Sequence, residues 1–222
     1  MPRIVSWSEA DGSVTGFAQR LRVDHADETV DVEDGPLADA LVAAGASVGR
    51  RSLLMAIDVA TPIDPGGFSG STAAMVQDPD RYAGALLRAF PPDHPDYDPD
   101  IPDLAGARRA LVSYFDGSVI GPLLDASSEA TVDGGEVVGG IVLALMPADE
   151  AGPGGPWVTD VFVEPTQQGA GVGRALFARA LGELRAAGES TLRLAVQIDN
   201  PARHLYDRLG FEVRSSWSRI TL

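Results

Sequence analysis

A short run of glycines separates a strand-like stretch from a helix-like stretch in the C-terminal third of the chain. Gly169, Gly171 and Gly173 follow the apolar segment 157–163, and leucines and alanines at helical spacing follow the glycines as far as Gly188. A strand that turns through glycines into a helix leaves several backbone N–H groups unpaired at the positive end of the helix dipole. Such a turn is suited to binding the phosphates of a ligand.

Three kinds of phosphate-binding turn share this outline, and the residues around the glycines separate them. A P-loop requires Gly-Lys-Ser/Thr at the helix start, but here Arg174 follows the last glycine, so the sequence excludes a P-loop. A dinucleotide-binding turn starting at Gly169 would need its third glycine where Arg174 stands, although Asp199 after the next strand fits that motif.

The third kind has the pattern Gln168-x-x-Gly171-x-Gly173, which this sequence matches, and a second pattern follows one strand later. The second pattern is Asn200-Pro201-Ala202, then Leu205-Tyr206, then Leu209-Gly210-Phe211. In this order, the two patterns resemble the acetyl-CoA-binding signature and the next helix of the GNAT N-acetyltransferase superfamily. The resemblance covers roughly residues 66–222.

The resemblance implies how the chain would hold acetyl-CoA as a co-substrate. Because glycine has no side chain, the backbone of the turn can approach a diphosphate closely, and Arg174 can add positive charge. The amides expected to wrap the diphosphate are those of Gly169, Ala170, Gly171, Val172 and Gly173, next to Gln168 of the same motif. By resemblance, Phe162 and Val163 pair through their backbone with the pantetheine arm. The alternative is a glycine-rich connection that only lets helix and strand pack.

The second pattern contains a helix cap and a candidate acid. Asn200 is a good N-cap for a helix that begins at Pro201, with a contact to coenzyme A as a further role. Acyl transfer from a thioester releases a thiolate that should gain a proton. The resemblance implies that Tyr206 donates it, and the alternative is that Tyr206 only packs with Leu205 and Leu209 on the same helix face.

The attacking amine must also lose a proton, and the sequence offers no evident base. Trp157 and Thr159 occupy strand positions that often carry Glu or His in related enzymes, and neither can act as a base. Strand alternation predicts that Asp160 lies on the opposite face. His94 and its neighbouring aspartates lie in the interhelical loop 91–103, which usually borders the acceptor pocket in this family.

Periodicity and turn signals predict an α/β fold with a mixed, mainly antiparallel sheet, an element order that also resembles the family's. From about residue 66 the expected order is strand, helix, helix, strand, strand, strand, helix, strand, helix, strand. Predicted helices cover 79–90, 104–115, 172–187 and 201–209, and predicted strands cover 123–132, 136–146, 157–163, 191–197 and 211–222.

We predict an N-terminal extension over residues 1–62 and an acetyltransferase domain over residues 63–222. Residues 37–57 can be laid on residues 202–222 without a gap, since each has a short helix, a terminal glycine and a strand-like tail. This similarity predicts a partial internal repeat, with chance similarity as the alternative. We expect the extension to pack on the main domain and to contribute to its stability or to a homodimer.

Composition and charge restrict the class of protein further. The 222 residues include no cysteine and only three histidines, so we expect no metal site. A net charge of −15 opposes binding to nucleic acid or anionic membranes and would attract a cationic partner. The alternative is that the acidity only keeps the protein soluble. No apolar run approaches the roughly 18 residues of a membrane span, and the N-terminus is too polar for a signal peptide, so a cytoplasmic protein is expected.

These observations together predict an acetyl-CoA-dependent N-acetyltransferase that acts on a primary amine of a small molecule or peptide. Two other classes remain compatible with the residues. One is a non-catalytic acyl-CoA-binding sensor, because the strand lacks a base. The other is a nucleotide-dependent oxidoreductase that uses the glycine turn. The residues do not identify the amine.

Overall fold

The computed structural model describes residues 3–148 and 154–222. These residues form two compact units, each assembled from separate parts of the chain. Unit 1 contains residues 3–55, 195–199 and 213–222, and unit 2 contains the described residues of 56–194 together with 200–212. Unit 1 therefore combines part of the predicted N-terminal extension with the C-terminal end of the predicted acetyltransferase domain.

Nine strands and six α-helices occur along the described residues. The strands are β1 (Arg3–Val5), β2 (Thr29–Glu33), β3 (Ser47–Asp58), β4 (Ser71–Ala74), β5 (Ser128–Val132), β6 (Glu136–Met146), β7 (Gly155–Val163), β8 (Thr191–Gln197) and β9 (Glu212–Thr221). The helices are α1 (Val14–Asp24), α2 (Pro36–Ala43), α3 (Pro79–Ala89), α4 (Leu104–Phe115), α5 (Val172–Ala186) and α6 (Arg203–Leu209). None of these helices is long and apolar enough to cross a membrane.

Unit 2 has the strand order β8-β7-β6-β5-β4. The pairs β4–β5, β5–β6 and β6–β7 are antiparallel, and β7–β8 is parallel. The predicted α/β fold with a mixed, mainly antiparallel sheet is therefore confirmed, and the elements from β4 to β9 follow in the predicted order. The strand expected from residue 123 begins only at Ser128, and Leu123 forms an isolated bridge to Ala144.

Helices α3 and α4 begin at aspartate caps and bury one face each. The side chain of Asp78 accepts the N–H of Asp80, and that of Asp103 accepts the N–H of Gly106. The buried residues of the two helices form one core cluster with β6 and β7; it includes Tyr82, Leu86, Ala107, Leu111, Val137 and Phe162. Burial of each large apolar side chain stabilises this arrangement by about 1.5–3 kcal/mol.

Helix α6 begins later than predicted. The side-chain oxygen of Asn200 accepts the N–H of Ala202 at 2.7 Å, and a turn over residues 200–202 precedes the helix, which starts at Arg203. An asparagine side chain that bonds two residues ahead offers the backbone an alternative to the helical pattern, and this explains the shift. The predicted end is confirmed, because Gly210 follows the helix with φ of 94°.

Unit 1 has the strand order β1-β2-β9-β3-β8. Strand β9 pairs antiparallel with β2, with Val30 opposite Ile220, and the carboxylate of Asp31 accepts two hydrogen bonds from Arg219 at 2.9 and 3.0 Å. Both Val30 and Ile220 are fully buried in a core formed with α1 and α2. Strand β1, helix α1 and strand β2 were not predicted from the sequence.

The order strand, helix, strand, helix, strand occurs in residues 3–58 and again in residues 155–221. The first two strands are parallel in both series, β1 with β2 and β7 with β8. The matching order of elements extends beyond residues 37–57, and the partial repeat itself stays a prediction. The first helix of the N-terminal series is capped by Ser13 and lacks a turn like the glycine turn before α5.

A chain that begins at Phe68 should lose stability, because β2 and β3, which flank β9, are both removed. The free energy of unfolding should fall by about 3 kcal/mol or more, since Ile220 loses its buried environment. Urea unfolding measures this change. In the intact chain, Val30→Ala should lower the urea midpoint and exposed Thr29→Ala should not. An unaltered midpoint and oligomeric state in the shortened chain would contradict the expected role of the extension.

Candidate active site

Strands β7 and β8 are paired at one point only, where Trp157 lies opposite Arg193. Beyond this point the two strands part. The N–H of Glu164 donates to the carbonyl of Val138 on β6 at 2.8 Å. Since backbone groups alternate in direction along a strand, the N–H and C=O of Val163 point away from β6, toward the side where β7 has no further pairing. This edge can pair with an extended ligand.

The same alternation changes the prediction for Phe162. This residue lies opposite Gly140, and its backbone groups point to β6. Its ring is 1% exposed in the core with α3 and α4, and a side chain at Gly140 would lie 2.6 Å from the ring. The backbone pairing with pantetheine that was predicted for both residues is therefore available to Val163 and not to Phe162.

A β-bulge at Thr159 corrects the predicted orientation of Asp160. Asp160 lies opposite Val142 of β6, whereas Val158 lies opposite Leu143, so Thr159 is an extra residue in β7. Trp157 lies opposite Ala144, and residues opposite each other share a face of the sheet. Asp160 and Trp157 therefore lie on the same face, contrary to the expectation from simple alternation. The hydroxyl of Thr159 is buried and has no hydrogen-bond partner among the described residues.

Asp160 is a carboxyl in an environment that favours its neutral form. The hydroxyl of Tyr114 on α4 donates to it at 3.2 Å. Loss of solvation raises the pKa of Asp160 to about 7, an effect that the Tyr114 hydrogen bond opposes and the charge of Asp96 reinforces. The negative charge of Asp160, together with burial, raises the pKa of Tyr114 above its usual value. A carboxyl with this pKa can accept a proton near neutral pH.

Tyr206 lies on α6 in an aromatic cluster. Its ring is 6% exposed and meets the rings of Phe177 and Phe211 at centroid distances of 5.8 and 5.7 Å. Burial raises the pKa of Tyr206 above its ordinary value, and the charges of Asp96 and Asp160 raise it further. The phenol is therefore a neutral donor at physiological pH, and its hydroxyl makes no hydrogen bond with a described residue. The ring contacts show the packing role of Tyr206, and its role as a proton donor stays a prediction.

The loop 91–103 reaches the start of α6 through Asp96. The amide nitrogen of Asn200 donates to the carboxylate of Asp96, and Asn200 is 5% exposed. The side-chain oxygen and the side-chain nitrogen of Asn200 both already make hydrogen bonds within the protein. This arrangement does not favour the predicted contact of Asn200 with coenzyme A. His94 packs its ring against Phe90, and its Nδ1 accepts the N–H of Asp96 at 3.0 Å. Asp96, and not His94, is the loop residue whose charge acts on Tyr206 and Asp160.

The glycine turn has the geometry of a backbone donor site. Gly169 and Gly171 have φ of 81° and 88°, in the left-handed region that favours glycine. Gly171 is the N-cap of α5, so the first amides of the helix, beginning with Val172, have no intrahelical acceptor. The N–H of Ala170 is already used by the carbonyl of Gln167 at 3.2 Å. The predicted set of five amides therefore loses Ala170, and Gln168 lies exposed beside the turn.

Gly173 and Arg174, at the start of α5, differ in what their side-chain positions do. A side chain at Gly173 would lie 2.9 Å from Cδ2 of Leu205, so this glycine lets α5 and α6 approach each other. Packing against Leu205 is thus a reason for Gly173 that the sequence did not indicate, and its predicted place beside a phosphate stays a prediction. Arg174 follows in the first turn of α5 and makes no hydrogen bond or ion pair with any described residue. Its charge is available to an anion next to the turn.

A part-buried ion pair fixes the strand that leads into this turn. Arg88 of α3 donates from Nε to both carboxylate oxygens of Glu164 at 2.9 and 3.0 Å, and its Nη2 donates to the same group. Glu164 is 7% exposed and directly follows β7. The hydrogen bond to Glu164 raises the pKa of Arg88. The sequence offered no signal for this pair, because the two residues are far apart in the chain.

The family is identified by comparison with known proteins. The model of the acetyltransferase (GNAT) family matches residues 83–211, and these residues include β7, the glycine turn and α6. The chain therefore belongs to the acetyltransferase (GNAT) family, and the resemblance seen in the sequence is confirmed. The alternative of a dinucleotide-binding oxidoreductase is wrong, since that fold needs a parallel sheet and three of the four strand pairs in unit 2 are antiparallel.

Two curated relatives are acetyltransferases. The chain is 34% identical over 178 residues to the mycothiol acetyltransferase of Saccharomonospora viridis, covering 76% of this chain and 55% of that protein. It is 38% identical over 52 residues to the ribosomal protein bS18-alanine N-acetyltransferase of Haemophilus influenzae, covering 23% of this chain and 36% of that protein. The chain thus spans about half of the length of the first relative.

Solved structures share the fold. A GCN5-related N-acetyltransferase from Sphaerobacter thermophilus superposes with a TM-score of 0.61 at 19% identity, covering 91% of this chain and 62% of that one. A tandem GNAT protein from the clavulanic acid biosynthesis pathway superposes with a TM-score of 0.56 at 18% identity, covering 94% of this chain and 67% of that one. At these identities the likeness concerns the fold alone.

Gly171→Ala should weaken binding of coenzyme A about tenfold or more, because alanine is strained at φ of 88° and the turn must change shape. Gly173→Ala should weaken it less, through displacement of Leu205. Gly182→Ala is the matched control in α5, since its new side chain would meet nothing within 4 Å. This control should leave affinity unchanged and raise stability by about 0.5–1 kcal/mol. Calorimetry and urea unfolding measure both quantities. Equal affinity in all three variants would remove the phosphate-binding role of the turn.

The free energy of unfolding of the Asp160→Asn variant, compared with that of the unmodified protein, should increase as pH rises from about 5 to 8. The folded state raises the pKa of Asp160 to about 7, above the unfolded value near 3.9, so its stabilising contribution is complete below pH 4 and is lost through pH 7. Asparagine cannot ionise and keeps an acceptor for Tyr114. The difference at pH 8 should be on the order of a few kcal/mol. Urea midpoints across this pH range test it, and a difference independent of pH would contradict the raised pKa.

Proposed function

We propose that the protein is an acetyl-CoA-dependent N-acetyltransferase that transfers an acetyl group to the primary amine of a small molecule or peptide. The observation that carries this proposal is the joint presence in one unit of a glycine turn at a helix start, a strand edge without further pairing and a buried phenol. The turn precedes α5, the edge is that of β7 at Val163, and the donor is Tyr206. Membership of the acetyltransferase family supports the same reaction.

The residues fit the three parts of the co-substrate. Unpaired amides at the start of α5 and the charge of Arg174 suit the diphosphate. The backbone of Val163 suits the amide groups of the pantetheine arm, since an extended chain can add to an unpaired strand edge. Acetyl-CoA supplies an acetyl group activated as a thioester. The parting of β7 from β8 gives this group access to Asp160 and Tyr206.

Acid and base are assigned from the environments of two side chains. In the reaction the amine nitrogen forms a bond to the acetyl carbon, the carbon–sulfur bond breaks, one proton leaves the nitrogen and one reaches the sulfur. Asp160, with a pKa of about 7, accepts the proton of the nitrogen directly or through one water. Tyr206, whose pKa is raised, keeps its proton until thiolate charge develops beside it. Environments that push two pKa values apart are typical of acid and base pairs.

The acceptor is a cationic amine. Asp96 and Asp160 both place negative charge near Tyr206. This field attracts an ammonium group, and Asp160 then removes the proton that the group must lose before attack. The names of the two curated relatives, a mycothiol acetyltransferase and a ribosomal protein bS18-alanine N-acetyltransferase, describe those proteins only. The acceptor proposed here is therefore described by its positive charge and its primary amine.

Incubation with acetyl-CoA and a panel of amines tests the proposal. Polyamines, aminoglycosides, amino acids and peptides form the panel, and release of free thiol reports turnover. Tyr206→Phe should keep acetyl-CoA affinity and stability but lower single-turnover acetyl transfer by about 10² to 10⁴, because the ring stays and the donor is lost. Tyr206→Ala is the packing control and should lower stability by about 3–5 kcal/mol.

The outcomes separate the possible roles. Binding of acetyl-CoA without thiol release for any amine would favour a non-catalytic sensor. Full activity of Tyr206→Phe would remove the acid assignment and leave solvent as the proton source. Absence of acetyl-CoA binding to the unmodified protein would overturn the proposed function as a whole.

A further inference from the structure

Residues 64–68, here called the strap, lie beside the N-terminus of α5 within unit 2. A side chain at Gly171 would lie 3.4 Å from the backbone nitrogen of Phe68. A side chain at Gly66 would lie 3.1 Å from Cδ of Arg174. The strap therefore lies next to the left-handed glycine of the turn at one end and next to the first cationic side chain of α5 at the other.

The strap is held in place on both sides of these contacts. The carboxylate of Asp64 accepts the N–H of Gly66 at 3.0 Å and closes a small turn. The ring of Phe68 folds over Gly70, where a side chain would come within 2.4 Å of the ring. The same side chain would lie 2.2 Å from the carbonyl of Thr131 on β5, so only glycine fits at position 70. These contacts make the strap a defined part of the surface around the turn.

We propose that the strap is part of the coenzyme site, with Gly66 as a positioning residue for Arg174. This inference rests on the proposed function. The bare Cα of Gly66 lets the stem of Arg174 lie against the strap, so that the guanidinium is held next to the turn. The N–H of Phe68, which makes no hydrogen bond with a described residue, lies beside Gly171 as a further donor for the diphosphate.

Charge and entropy explain why such a positioning residue is useful. The protein has a net charge of −15 and must bind a polyanion, so a correctly placed cation matters more here than in a neutral protein. Arg174 has no partner among the described residues, and a free arginine loses side-chain freedom when a ligand fixes it. Packing against the strap removes part of that freedom before the ligand binds, and this improves affinity.

Two neighbouring glycines give a matched test. Gly66 has φ of 76° and contacts Arg174, whereas a side chain at Gly67 would meet nothing within 4 Å. Gly66→Ala should weaken coenzyme A binding about tenfold, the size expected when a charge-assisted contact is displaced. Gly67→Ala should change affinity less than about twofold. Calorimetry with coenzyme A measures both, and urea midpoints establish that the variants are folded.

A double-mutant cycle shows whether Gly66 acts through Arg174. In an Arg174→Ala background, Gly66→Ala should cause no further loss of affinity, because its target is gone. Phe68→Ala, which frees the strap from Gly70, should weaken binding in the unmodified background if Gly66→Ala does not fold. Additive losses, or equal affinities for the Gly66 and Gly67 variants, would overturn the strap proposal and leave the proposed function intact. Failure of the unmodified protein to bind coenzyme A would overturn both.

Discussion

The separation of β7 from β8 beyond Trp157 is the constraint on which the candidate site depends. Two parallel strands that stayed paired would use the backbone of Val163 for the sheet and leave no opening. Because they part, one edge of β7 is available, and the side chains that follow β8 come close to those on β7. The bulge at Thr159 then turns Asp160 onto the face that carries Trp157, next to Tyr114.

Two part-buried ion pairs keep β7 and β5 in position under α3. Arg81 binds Glu129 through two hydrogen bonds at 2.7 and 2.6 Å, with a third from Tyr82 at 2.5 Å. Arg88 binds Glu164 two helical turns later. The bonds from Arg81 lower the pKa of Glu129 despite its burial. The two carboxylates are buried and the two arginines are partly exposed, so loss of either arginine would leave a buried carboxylate without its charged partner. The helix is thus tied to the sheet at both of its ends.

Local signals predicted the glycine turn and its helix well, and long-range contacts account for what was missed. Gly171 could be recognised because the residues that form the turn and those that begin the helix are adjacent in the sequence. The bulge at Thr159 could not be recognised from the sequence, because it depends on how β7 pairs with β6 and no turn residue marks it. The role of Gly173 depends on Leu205 from another helix. The hydrogen bond from Asn200 to Asp96 likewise joins a loop and a helix about 100 residues apart, and no local pattern encodes it.

The place of β9 between β2 and β3 has a consequence for the order of folding. Arg219 and Asp31 are 188 residues apart, yet they bond across neighbouring strands. During synthesis from the N-terminus, β2 leaves the ribosome long before β9 exists. The edge of β2 that pairs with β9 therefore stays without its partner strand until β9 has been synthesised. An unpaired strand edge is a template for pairing with another chain, so β2 is a point where association can begin before β9 is in place.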